Sequence, residues 1–191
     1  MAGLFEEAFE TAGSLAREVR ADERVMAGLE AVAEAMAGCL RSGGKVMSCG
    51  NGGSLADAMH FAEEMSGRYR NDRPAYAAVA ICDPTHLTCV ANDYGFEQVF
   101  SRMVEGLGRA GDLLVLLTTS GNSANLILAA EAARSVGVGT VGFLGRGGGK
   151  LAGLCDYGLV FPGSTSDRIQ ELHMIALHAL VGRVESHLGH A

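Results

Sequence analysis

The sequence predicts an α/β domain of three layers, in which a five-stranded parallel sheet lies between two layers of helices. Three observations carry this expectation. Short apolar runs alternate with segments of helical periodicity. One run, Leu113–Leu117, is uninterrupted, as in a strand covered on both faces. Two of the strands run straight into small polar turns that open a helix. With 191 residues, 48% of them hydrophobic, the chain suits one domain with a sizeable core, residues 1–191.

Taken in order, residues 2–20 place Phe5, Phe9, Ala12, Ala16 and Val19 at helical spacing. Asp22 is placed to cap a second helix with the stripe Val25, Leu29, Val32, Met36 and Leu40. This extra pair, residues 1–42, is available to pack on the sheet or on another subunit. Lys45–Cys49 reads as the first strand, followed by the turn Gly50-Asn51-Gly52-Gly53-Ser54 and a helix to about Tyr69. Ala77–Ile81 reads as a second buried strand, and Pro84 favours a helix start. Phe96–Leu107 is expected to form a further helix. After Leu113–Leu117 come the turn Thr118–Ser123 and a helix over Ala124–Ser135. Thr140–Leu144 and Tyr157–Phe161 supply the last two strands, separated by a glycine loop, 145–149, that reads as flexible. The final helix, Asp167–His187, carries the stripe Ile169, Leu172, Ala176, Leu180 and Val184.

Composition removes several classes of function. A net charge of −7 argues against a nucleic-acid or anionic-membrane partner. No apolar run approaches the roughly 20 residues needed to span a bilayer. The acidic N-terminal stretch lacks the basic region of a secretory signal. Five cysteines without CxxC spacing read as reduced thiols used as small hydrophobes, which suits a cytoplasmic protein.

In a parallel sheet both polar turns lie at the carboxyl edge, where open α/β folds bind ligands. Gly50 to Ser54 offers free backbone amides at a helix N-terminus. Thr118, Thr119, Ser120 and Ser123 add four hydroxyls. Donors of this kind without lysine suit a phosphate monoester, although Ser and Gly also serve simply as caps and turns. The dinucleotide fingerprint fails because position 55 is Leu55, and the run Gly145–Leu151 is one residue short of a Walker A loop.

His60 and Glu64 are four apart, so both can reach one metal ion or one substrate from a single helix face. Asp57 and Arg68 extend that stripe, which also reads as an ordinary solvated face. On the last helix, Gln170 and His178 are eight apart, about 12 Å along the axis and roughly 80° around it. They converge only if their side chains lean together, and spacing does not choose His178 over His173.

The segments Gly50–Ser54, Asp57–Glu64, Gly67–Tyr69, Ala91–Gly95, Thr119–Ser123 and Asp167–His173 together resemble the phosphoheptose isomerase (sedoheptulose 7-phosphate isomerase) family of sugar-isomerase, or SIS, domains. The likeness runs over nearly the whole chain and implies a flavodoxin-like sandwich. It implies one zinc ion per subunit, held by His60, Glu64, Gln170 and His178. It further implies substrate contacts from Asn51, Gly52, Gly53, Ser54, Glu64, Asn92, Asp93, Thr118, Thr119, Ser120, Ser123 and Gln170, with Arg68 and Asp167 matching polar positions of the family site. Thr118 stands where serine is more usual, and the hydroxyl is kept. Family members form homotetramers with sites near subunit boundaries, a role for residues 1–42.

What the resemblance implies is isomerisation of sedoheptulose 7-phosphate to D-glycero-D-manno-heptose 7-phosphate through an enediol, the first step toward nucleotide-activated heptose. In that reaction a carboxylate carries the carbon-bound proton, for which Glu64 is the candidate. An imidazole suits the oxygen protons, for which His178 is the candidate. A glutamate bound to zinc is a weaker base, which sets its two tasks against each other. The rival is a non-catalytic phosphosugar sensor or DnaA-binding regulator, whose relatives lack matches to Glu64 and His178.

Overall fold

The computed structural model describes residues 3–190. Five parallel strands stand in the order β2-β1-β3-β4-β5, with β1 at Val46–Gly50, β2 at Ala78–Ala80, β3 at Leu113–Thr118, β4 at Gly139–Leu144 and β5 at Tyr157–Val160. Seven α-helices accompany them: α1 Leu4–Ala21, α2 Glu23–Arg41, α3 Gly53–Ser66, α4 Pro84–Tyr94, α5 Ser101–Leu107, α6 Ala124–Ser135 and α7 Ser166–Leu188. The three-layer parallel sandwich is therefore as the sequence predicts.

The central strand shows why. Leu113, Val115 and Leu117 enter one core, with side chains from α2, α3 and α7. Leu114 and Leu116 enter the other, with α4, α5 and α6. Alternation along a strand sends successive side chains to opposite faces, so an unbroken apolar run serves both layers. Each such side chain contributes about 1.5–3 kcal/mol by leaving water. The expected stripe on α7 is buried from Ile169 to Val184.

Asp22 accepts from the backbone N–H groups of Arg24 and Val25 and separates α1 from α2. From α7, Arg168 reaches across to donate to the carbonyl of Ala8 on α1, at 2.9 Å. Phe5 and Phe9 remain 84% and 80% exposed on α1.

Four details differ from the sequence reading. Strand β2 is a three-residue edge strand and half-exposed, because nothing pairs with its outer side. The helix after the glycine turn ends at Ser66, so Arg68 lies beyond it. The stretch expected as one helix from Phe96 breaks into a 3-10 turn, Phe96–Gln98, and the short α5. Burial of Val99 and Phe100 and capture of the Val99 carbonyl by His86 Nε2, at 2.9 Å, occupy the join. Finally, the 145–149 loop is pinned to the β3 turn. Gly145 N–H donates to the Thr118 carbonyl at 3.0 Å, and just past the loop Lys150 N–H donates to Asn122 Oδ1 and Leu151 N–H to the Gly121 carbonyl, both at 3.1 Å.

Candidate active site

Strand β1 has β2 on one side and β3 on the other, so the winding reverses between β1 and β3. Gly50 pairs in register with Leu117 there, which brings the two polar turns side by side at the carboxyl edge. Helix α3 starts without a side-chain cap, and Gly52 takes φ +56°, ψ −121°, a conformation that side chains rarely allow. Inside the turn Ser54 N–H donates to the Asn51 carbonyl at 3.1 Å and Leu55 N–H to the Gly52 carbonyl at 3.0 Å, so the first turn of α3 closes on its own backbone. The buried Ser48 hydroxyl anchors the helix to β1 by donating to the Ala58 carbonyl at 2.9 Å. Asn51 and Asn125 exchange reciprocal amide hydrogen bonds of 3.0 and 2.8 Å, which fasten the glycine turn to α6. The Asn51 side chain thus spends one donor and one acceptor on α6, while its backbone carbonyl accepts from Ser54 N–H at 3.1 Å.

The hydroxyl turn borders a small cavity of about 180 Å³ lined by Asn51, Ser54, Thr118, Thr119, Ser120, Ser123, Ser166 and Gln170. Thr118 Oγ1 accepts from the N–H groups of Ser120 and Gly121 at 3.3 and 3.2 Å. This hydroxyl shapes the turn, while Ser120 and Ser123 border the cavity. Ser166 joins Thr119 at 3.0 Å. It was not singled out in the sequence, where a serine opening a helix carries no further signal.

One turn of α3 separates His60 from Glu64, and Nε2 of His60 lies 3.4 Å from Oε1 of Glu64. From α7, His178 Nε2 reaches the same oxygen, also at 3.4 Å. The three donor atoms lie within 4.8 Å of one another. Two donors each about 2.1 Å from a tetrahedral zinc ion are about 3.4 Å apart, so the residues fit such an ion. The second Glu64 oxygen, Oε2, is buried without a hydrogen-bond partner. Unused acceptor capacity of this kind suits a cation or a proton yet to arrive. Tyr69 stacks on the His178 ring at 6.0 Å and 14°, limiting its rotation.

Gln170 donates to Ser54 Oγ at 3.3 Å and lines both the hydroxyl cavity and a wider cleft of about 780 Å³. The cleft also holds Asp57, Asp167, Arg168, Glu171 and His178, with Phe9 and Ala12 of α1 on its wall. Gln170 therefore stands where the two spaces meet. In the sequence Asp57 is only one member of a polar stripe. Its Oδ2 is buried without a partner, and burial pushes its pKa up to about 6 against the opposing pull of His60. The Thr165 hydroxyl, followed by Arg168, holds the exposed Asp167 carboxyl below the usual range.

Not every expected residue converges here. Asn92 and Asp93 lie exposed on α4, where the Asn92 amide donates to Asp93 at 2.7 Å. Neither they nor Arg68 line the two cavities. His173 is packed, in edge contact with Phe143 and Phe161, and its ring nitrogens meet no hydrogen-bond partner. Of His173 and His178, the structure brings His178 to the triad.

The family model described as the SIS domain matches residues 9–145. The phosphoheptose isomerase of Fusobacterium nucleatum is 50% identical over 177 residues, covering 93% of this chain and 91% of that one. That of Tolumonas auensis is 49% identical over 186 residues, 97% of each. Among solved structures, a phosphoheptose isomerase from Francisella tularensis superposes with a TM-score of 0.90 at 33% identity, covering 97% of this chain and 100% of that one. One from Neisseria gonorrhoeae gives 0.82 at 42% identity, with 95% of each chain covered. On this likeness in sequence and fold, the chain belongs to the phosphoheptose isomerase family of SIS-domain proteins.

Proposed function

We propose that the chain is an aldose–ketose isomerase that converts sedoheptulose 7-phosphate to D-glycero-D-manno-heptose 7-phosphate. The observation that carries this reading is the His60–Glu64–His178 cluster beside a cleft that shares Gln170 with a hydroxyl-lined cavity. The likeness to enzymes named for this reaction supports it.

The substrate phosphate enters the hydroxyl cavity, where backbone amides, Ser120 and Ser123 bind it and orient the sugar chain. Asn51, Gly52, Gly53, Ser54 and Gln170 hold the other end, with Thr118 and Thr119 shaping the phosphate turn. Glu64 takes a proton from C1 and returns it to C2, while His178 exchanges protons between the two oxygens as the enediol forms and collapses. The two Glu64 oxygens differ, one facing both imidazoles and one without a partner, and this supports a division of tasks. His60, Glu64 and His178 would hold zinc, with Gln170 as the fourth ligand of the proposed set. When bound, zinc polarises the carbonyl and favours negative charge on its oxygen.

The exposed Phe5 and Phe9 support packing of residues 1–42 against other copies, with a homotetramer as the proposed state. In such an assembly Arg68, Asn92 and Asp93 would serve sites near subunit boundaries. Free cysteines and the lack, among described residues, of a helix able to cross a membrane support a cytoplasmic setting.

The test is to incubate the purified protein with sedoheptulose 7-phosphate, with and without chelator, and follow the aldoheptose by NMR. Conversion abolished by chelator and restored by zinc supports the whole reading. No conversion by zinc-loaded protein overturns the activity. Chelator-resistant conversion by metal-free protein overturns the zinc assignment.

A further inference from the structure

Between α3 and β2, in a stretch with no motif, Arg73 turns inward. Its side chain is 1% exposed and that of its ion-pair partner, Glu185, 5%. Nε donates to Glu185 Oε1 at 2.8 Å. Nη2 donates to the backbone carbonyl of Glu64 at 2.6 Å, and Nη1 to that of Met65 at 2.9 Å. Longer bonds from Nη1 reach Pro74 at 3.1 Å and Gly67 at 3.3 Å. The guanidinium lies over the Tyr76 ring at 3.9 Å.

The last carbonyls of a helix have no partner within it, and the negative end of the helix dipole favours a cation. Arg73 meets both demands at the turn of α3 that carries Glu64. Its planar fork of five donors fixes one charge against several carbonyls and a carboxylate together, a geometry that the three rotatable donors of an ammonium do not impose. Glu185 lies on α7 two turns beyond His178. The same side chain thus fixes the backbone of one member of the triad and grips the helix that presents another. Tyr69, which stacks on His178, leaves α3 through the capped segment.

We propose that Arg73 and Glu185 are positioning residues for the active site, setting the distance between the Glu64 carboxylate and the His178 imidazole. The role rests on the reading of His60, Glu64 and His178 as the reactive, zinc-holding set. It assigns catalytic importance to a pair that touches neither substrate nor metal.

The test uses the purified full chain with Arg73→Lys and the nearly isosteric Glu185→Gln, beside wild type and His60→Ala. Zinc affinity is measured by chelator competition, kcat and KM with sedoheptulose 7-phosphate, and folding by circular dichroism and thermal melting. Folded variants are expected to lose about 10–100-fold in zinc affinity, the range usual for residues that orient metal ligands. Their kcat should fall while KM stays within about twofold. A lower melting temperature with unchanged zinc affinity and unchanged kcat overturns the proposal and leaves a structural clamp. If Arg73→Lys does not fold, Glu185→Gln decides by the same criteria. If zinc binding in wild type is insensitive to His60→Ala, the metal assignment fails separately, and the kcat–KM split alone then decides the positioning role.

Discussion

His178 Nε2 lies 3.4 Å from Glu64 Oε1, across the gap between α7 and α3. The fold thus brings a half-exposed imidazole onto a largely buried carboxylate from a separate helix. Replacing either by glutamine keeps the volume nearly the same but removes the titrating group. Glu64→Gln and His178→Gln should each lower turnover by about 10²–10⁴-fold, the usual span for acid–base groups. Both should still bind the phosphosugar and melt near the wild-type temperature. Heptose formation and calorimetric binding decide it, and wild-type turnover in either variant would remove that residue from the mechanism.

A methyl group on Gly53 would sit 2.6 Å from the Gln170 carboxamide. Gly53→Ala should therefore displace Gln170 from Ser54 and raise KM about tenfold. The substitution adds up to about 1 kcal/mol of helix propensity, so the melting temperature should hold or rise. An unchanged KM would show that Gln170 is not needed where the two cavities meet.

Thr118 uses its hydroxyl inside its own turn. Thr118→Ser should be nearly silent, whereas Thr118→Val should cost about 1–3 kcal/mol for donors left unmatched. Denaturant titration measures the loss, and KM should rise in parallel. Equal behaviour of the two variants would contradict the internal role.

Burial pushes the His173 pKa down to about 4, against a smaller opposing effect of the Leu144 backbone. The neutral ring is favoured by folding, and the unfolded chain binds a proton more readily. Stability is therefore full above about pH 6.5 and falls as the pH drops toward about 4. The loss amounts to about 3 kcal/mol over that window. His173→Leu should flatten this part of the stability–pH curve, whatever it does to stability at neutral pH. A slope unchanged by the substitution would assign the acid sensitivity to other groups.

Phe5 and Phe9 project apolar rings from α1 into solvent in the single chain. Phe5→Ser with Phe9→Ser should shift sedimentation from the proposed tetramer to smaller species while helix content is retained. A wild-type protein that sediments as a monomer would end the assembly proposal.

The layers were legible because periodicity reports burial directly. The run Leu113–Leu117 feeds two cores, and the α7 stripe from Ile169 to Val184 marks one helical face. Periodicity also misled where an element stopped early. Arg68 continues the stripe of Asp57, His60 and Glu64 only if the helix persists past Ser66, which it does not. His173 and His178 are about 140° apart around α7, yet spacing does not say which direction faces α3. Family resemblance points to His178, and the packing of α7 on α3 supplies the reason. Arg73 and Glu185 are invisible because a charged residue, whether in a loop or on a helix, reads as solvated. Only the tertiary structure brings them together.

Helix α7 carries His178 and Gln170 but packs against α1, α2 and α3, which precede it in the chain. His60 and Glu64 on α3 and every hydroxyl of the β3 turn leave the ribosome before it. A nascent chain can pair its first strands, yet the apolar face awaiting Leu172, Leu177 and Val181 stays open to water or to a chaperone. Docking of α7 closes that face and completes the His60–Glu64–His178 cluster in one event. The cluster thus depends on the docking of α7, and a chain that stops before this helix would lack His178 and leave an apolar face prone to aggregate.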